Sequence, residues 1–151
     1  MMVVASNKKA FHEYEILETL EAGLVLTGDE VKSIRKRQVS INDAYATLHK
    51  GELALLNCNI TPYSHAYIKN EDLARRSRKL LLHKRELNRL IGDISRKGVT
   101  IVPLKLYFND RGFIKVELGI AKHKKKIDKK RDIKERDIQR EVAREVKIRL
   151  R

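Results

Sequence analysis

Apolar positions along most of this chain recur in short alternating runs, broken by two stretches of helical spacing. Ile114, Val116, Leu118 and Ile120 alternate with Lys115, Glu117 and Gly119, and a matching run from Val99 to Phe108 precedes them across Asn109-Asp110-Arg111-Gly112. A period of two places alternate side chains on opposite faces of a strand, so residues 99–121 are predicted to form a hairpin. Pro103 lacks a ladder donor and belongs at an edge or a bulge. Ala44, Ala46 and Leu48, followed after Lys50-Gly51 by Leu53-Ala54-Leu55-Leu56, predict a second hairpin. Ile16, Leu20, Leu24 and Leu26 predict two short strands over residues 13–28, turning at Glu21-Ala22-Gly23, where glycine would supply the positive φ of a tight connection.

The helical stretches carry their own end signals. Thr27-Gly28-Asp29-Glu30 has the spacing of a capping box, ahead of Val31 and Ile34 on one face and basic Lys32, Arg35, Lys36 and Arg37. Leu87, Leu90, Ile91 and Ile94 define a helix over residues 84–97 with Gly98 at the C-terminal cap position. About six short antiparallel strands with two or three short helices close most economically into a small barrel, because closure removes exposed edges. The predicted fold is therefore mainly β, a small closed antiparallel OB-like barrel.

Charge adds a second part. The 151 residues hold 34 Lys and Arg against 20 Asp and Glu, a net +14, and residues 123–151 contribute half of that excess, with 13 cations against 6 anions. No glycine, proline, Tyr or Phe follows Gly119. The composition shift predicts a packed domain over residues 1–122 and a basic tail over 123–151. Within the tail, Ile138, Val142, Val146 and Leu150 oppose a stripe of Arg136, Arg140, Arg144, Lys147 and Arg151. Such a helix is short enough to be marginal in water, so the tail is expected to be disordered alone and helical on a partner. A strongly basic surface attracts polyanions, of which nucleic acid is the first expectation.

Catalytic chemistry leaves no comparable trace. The five histidines stand apart, with no H-x-x-x-H or C-x-x-C spacing, no phosphate-cradling glycine loop and no nucleophile beside a base. Cys58 is expected to be a small buried hydrophobe, and no metal or cofactor is implied. One cysteine makes no internal disulfide, and the absence of a signal-like start predicts a cytoplasmic protein without a membrane partner. The run Arg75-Arg76-Ser77-Arg78-Lys79 is expected to contact phosphate, with a solvated basic loop as the alternative.

Longer strings are more specific. Asn7-Lys8-Lys9-Ala10-Phe11-His12-Glu13-Tyr14, Glu21 to Arg35, Arg78-Lys79-Leu80-Leu81-Leu82-His83-Lys84-Arg85-Glu86-Leu87, Val102-Pro103-Leu104-Lys105-Leu106-Tyr107-Phe108 and Lys115 to Lys122 together resemble the SmpB family of bacterial SsrA-binding proteins. The resemblance implies an RNA-binding factor of trans-translation and no enzyme. Its members bind the tRNA-like domain of transfer-messenger RNA (tmRNA, or SsrA RNA). With elongation factor Tu, engaged through that complex, they deliver it to stalled ribosomes, where the unfinished peptide is tagged.

By matching motif the resemblance places Asn7, Glu21, Leu81 and Lys115 on the RNA-binding surface, with Lys8, Lys32 and Arg35 as phosphate partners. It assigns Asp128, Lys129, Lys130, Ile133, Lys134 and Glu135 of the tail to the small-subunit decoding region and the empty messenger channel. Lys130 stands where the family usually carries arginine, which keeps the charge but loses the planar fork. Ile127 replaces a ring and His123 a glycine. A constitutive ribosomal or initiation-type barrel protein and a small nuclease or RNA-modifying enzyme are the alternatives. No DNA partner is expected.

Overall fold

A computed structural model describes residues 1–62 and 71–124. Nine strands and three helices lie in the described residues: β1 (Met2–Ser6), α1 (Lys8–Glu13), β2 (Tyr14–Leu24), α2 (Gly28–Arg35), β3 (Val39–Ser40), β4 (Tyr45–His49), β5 (Glu52–Leu56), β6 (Asn59–Ile60), β7 (Arg78–Leu81), α3 (Lys84–Lys97), β8 (Thr100–Phe108) and β9 (Ile114–His123). A 3₁₀ turn over Glu71–Arg75 precedes β7. The main sheet runs β1-β8-β4-β5-β7-β2-β9, and β9 also pairs with β8. That last pairing closes β8, β4, β5, β7, β2 and β9 into a six-stranded antiparallel ring, with β1 added along β8. The small closed barrel expected from the sequence is present.

The two later hairpins form as their patterns predict. β4 and β5 pair from Tyr45↔Leu56 to His49↔Glu52, and β8 and β9 from Thr100↔Ala121 to Phe108↔Ile114. The β8–β9 register shifts between Pro103 and Lys105, the bulge that a proline without an N–H requires. α3 ends where Gly98 adopts φ 60° and ψ 36°, the left-handed cap.

The hairpin expected at residues 13–28 does not form. Tyr14–Leu24 is a single strand of 11 residues, paired with β9 along its length and with β7 at its end. Gly23 takes no positive φ and makes no turn. It sits between Lys115 of β9 and Leu81 of β7, where an added Cβ would stand 3.3 Å from the Leu81 Cβ. The glycine serves close approach of neighbouring strands, and its sequence signal is the same as that of a turn.

Inside the ring lie Leu53, Leu55, Ile101, Leu106, Val116 and Leu118, all at or near zero exposure, joined by Ile34 of α2 and Leu90 of α3. Burying a side chain of this size is worth about 1.5–3 kcal/mol, so Ile34 and Leu90 are the apolar anchors of α2 and α3. A smaller core lies outside the ring, where Ala10 of α1 packs on Val102, Leu104 and Ala121 with Tyr14 and Ile16 beside them.

Candidate nucleic-acid interface

Three strands come side by side at one row, Lys115–Gly23–Leu81, because β2 pairs with β9 on one edge and β7 on the other. Strand alternation exposes Glu21 two residues earlier on β2 and leaves Leu81 50% exposed, although its neighbour Leu80 is buried. The bare backbone of Gly23 then forms the floor of a groove of about 280 Å³ lined by Glu21, Leu81, Leu82, His83, Glu86 and Lys115. The groove offers a cation and an apolar side chain in one strand row and an acceptor two residues along β2. Tyr107 of β8, paired in register with Lys115, reaches across and donates its hydroxyl hydrogen to Glu21 Oε2. Burial, and after it the Glu21 carboxylate, hold the Tyr107 phenol far above its ordinary pKa, so it stays protonated and remains a donor.

Of the seven barrel residues picked out above, the structure brings Glu21, Leu81 and Lys115 together. Lys8 is exposed on α1, and Lys32 and Arg35 are exposed on α2; none of the three lines the groove. The Arg35 guanidinium lies 5.7 Å from the Phe108 ring centroid, a cation–π contact that extends the side chain along the surface. Asn7 is placed differently. It is 2% exposed, caps α1 by accepting from Ala10 N at 3.1 Å, and donates through Nδ2 to Pro103 O at 2.8 Å and to Ile41 O at 3.3 Å. Its side chain ties α1 to the barrel from within. The tail residues Asp128, Lys129, Lys130, Ile133, Lys134 and Glu135, and the expected helix that carries them, lie outside the described residues.

Sequence reasoning missed the roles of Tyr107 and Arg78. The basic run leading into β7 reads in the sequence as a phosphate contact, yet Arg78 has no exposed side-chain surface. Its Nε donates to Glu30 Oε2 at 2.6 Å, one terminal nitrogen to the carbonyls of Cys58 and Arg76, and the other to those of Leu73 and Ala74. Glu30 also accepts from Arg76 and completes the Thr27 capping box. Burial pushes the Glu30 carboxyl up, but hydrogen bonds from Arg76, the Thr27 amide and Arg78 outweigh it and hold the pKa below the ordinary value. The network ties the start of α2 to Cys58 just before β6, to the 3₁₀ turn and to β7. Alternation along β7 was the available signal, since it turns Arg78 and Leu80 inward together.

Cys58 is fully buried and its thiol is pushed up to about 11 by burial, which suits packing and not nucleophilic attack. Among the described residues no cluster of His, Cys, Asp and Glu suits a metal ion, and no helix is long and apolar enough to cross a membrane.

Comparison with known proteins covers nearly the whole chain. The family model described as SmpB protein matches residues 4–148. The SsrA-binding protein of Coprothermobacter proteolyticus is 52% identical over 149 residues, 99% of each chain. That of Geobacillus kaustophilus is 55% identical over 142 residues, covering 94% of this chain and 90% of its own. A chain of the solved structure "tmRNA-SmpB: a journey to the center of the bacterial ribosome" superposes with a TM-score of 0.65 at 53% identity, over 80% of this chain and 84% of that one.

Proposed function

The chain belongs to the SmpB protein family, and from that premise we propose that it binds the tRNA-like domain of tmRNA and carries it to stalled ribosomes for trans-translation. The observation that supports this most is the convergence of Glu21, Leu81 and Lys115 on one groove, although they stand on three strands far apart in the chain. Such a groove suits an unpaired nucleotide. Leu81 packs against a base face, Lys115 attracts phosphate, and Glu21 accepts from base or ribose donors and disfavours phosphate.

In this proposal residues 1–122 grip the RNA, with Lys8, Lys32 and Arg35 adding phosphate contacts and Asn7 holding α1 in place. The tail over 123–151 enters the messenger channel and meets the decoding region through Asp128, Lys129, Lys130, Ile133, Lys134 and Glu135. Elongation factor Tu joins through the tmRNA complex. The protein acts in the cytoplasm as a binder and supplies no catalytic group.

A titration of the full chain against tmRNA, ordinary tRNA and duplex DNA tests the proposal. Expected are preference for tmRNA, steep weakening with salt, and a salt slope smaller by about 1 in Lys115→Ala. Removal of residues 123–151 is expected to spare RNA binding and abolish tagging. Equal affinity for the three nucleic acids would refute the reading.

A further inference from the structure

Glu21 and Glu117 stand directly opposite each other in the β2–β9 register, a pairing of like charges that is ordinarily unfavourable. The two carboxylates are compensated differently. Glu117 pairs with Lys105 at 3.1 Å. Among the described residues Glu21 has no cation partner; it takes the Tyr107 hydroxyl hydrogen instead. The Lys105 ammonium lies 5.8 Å from the Tyr107 ring centroid, so Lys105 is committed to Glu117 and the ring and not to Glu21.

A carboxylate offers about four acceptor positions on two oxygens. A lysine or arginine in place of Tyr107 would neutralise Glu21 and occupy several of them. The phenol occupies one position on Oε2, fixes the carboxylate through a buried ring, and leaves the group charged, with acceptor positions still open, in the lining of the groove. Such a group discriminates sharply, since a neutral N–H or O–H donor satisfies it and a phosphate is repelled.

Building on the RNA-binding reading above, we propose that Tyr107 is the positioning residue of the groove. Its hydroxyl orients Glu21 to accept a hydrogen bond from an unpaired RNA nucleotide, from either the ribose 2′-hydroxyl or a base amine. The 2′-hydroxyl is the group that separates RNA from DNA at a given site. Tyr107 touches no ligand itself and acts through Glu21.

The test uses the full chain and the tRNA-like domain of tmRNA. Tyr107→Phe removes only the hydroxyl and is expected to weaken binding by about tenfold, the scale of one charge-assisted hydrogen bond. The salt slope should stay unchanged, because no phosphate contact is lost. In a Glu21→Gln background Tyr107→Phe should add no further loss, an outcome a merely structural role would not produce. Glu21→Gln, made at the exposed partner, tests the same contact should the phenylalanine variant fold poorly, and is expected to weaken binding at least as much.

RNAs with 2′-deoxy nucleotides in the unpaired loops, or with bases there that lack the exocyclic amine, identify the donor. The one in which wild type and Tyr107→Phe bind alike carries the matching group. Unaltered binding by Tyr107→Phe, a loss that persists beside Glu21→Gln, or a difference that survives both RNA changes would overturn the proposal. These outcomes leave the wild-type preference for tmRNA intact; only loss of that preference sinks the functional reading.

Discussion

Replacing Arg78 with methionine isolates the polar network beneath β7. The side chain stays unbranched and apolar along its stem, ends two atoms short of the guanidinium nitrogens, and loses its charge and all five donors. Glu30 retains Arg76 and the Thr27 amide, so its carboxylate does not become bare. The carbonyls of Cys58, Arg76, Leu73 and Ala74 lose their guanidinium partner, and that of Cys58 is the most deeply buried. Breaking a buried pair from one side costs about 3–5 kcal/mol. Relief of the guanidinium's own desolvation and the surviving Arg76 contact place this case at about 3 kcal/mol, or roughly 12 °C in Tm at about 4 °C per kcal/mol for a domain of this size.

Arg78→Lys keeps the cation but gathers its three donors on one nitrogen, which cannot span from Glu30 to the Cys58 and Ala74 carbonyls. About half of the loss is expected. Arg78→Met combined with Glu30→Gln should cost less than the sum of the two single changes by about 1–3 kcal/mol, since neither charge is then left alone. Urea unfolding followed by circular dichroism measures the four variants, Glu30→Gln among them, against wild type. If Arg78→Met lies within about 0.5 kcal/mol of wild type, the network does not hold this side of the barrel and Arg78 is only a buried bystander.

Three further outcomes follow from the same residues. Because Glu30 has a folded pKa below its ordinary 4.5, the unfolded chain takes up the proton first. Its contribution is present above about pH 4.5 and lost as pH falls toward the folded value; unfolding free energies between about pH 3 and 6 should show this limb, flattened in Arg78→Met. Thr27→Ala removes the hydroxyl that accepts from the Glu30 amide at 3.2 Å and should cost about 1 kcal/mol in urea, with Thr27→Ser restoring most of it. Cys58 should resist a disulfide reagent at about pH 8 in the native protein and react only at the rate of unfolding, since burial keeps it a thiol; fast native labelling would contradict its placement.

Local chemistry was legible without the fold. The Thr27–Glu30 box, the Gly98 cap, the turn at Lys50-Gly51 and the hairpin across Asn109–Gly112 each depend on residues within a few positions of one another. Their side-chain and turn preferences therefore act on the same short stretch that displays them. The expected number of ring strands came out right for a mixed reason. One of the six had been placed in a hairpin that does not exist, and β7 supplies the sixth.

The groove was legible only in its members. Resemblance to a family singled out Glu21, Leu81 and Lys115, and nothing in their spacing said that they meet. Pairing of β2 with both β7 and β9 decides that, as it decides that Gly23 is a floor and not a turn. Arg78 and Tyr107 were hidden more deeply, because a basic run and an apolar strand look alike whether their polar atoms face water or a partner. Tyr107 and Glu21 stand 86 positions apart, Arg78 and Glu30 48 apart. Burial and long-range hydrogen bonding depend on which strands lie alongside, and barrel closure, not any local preference, sets that neighbourhood.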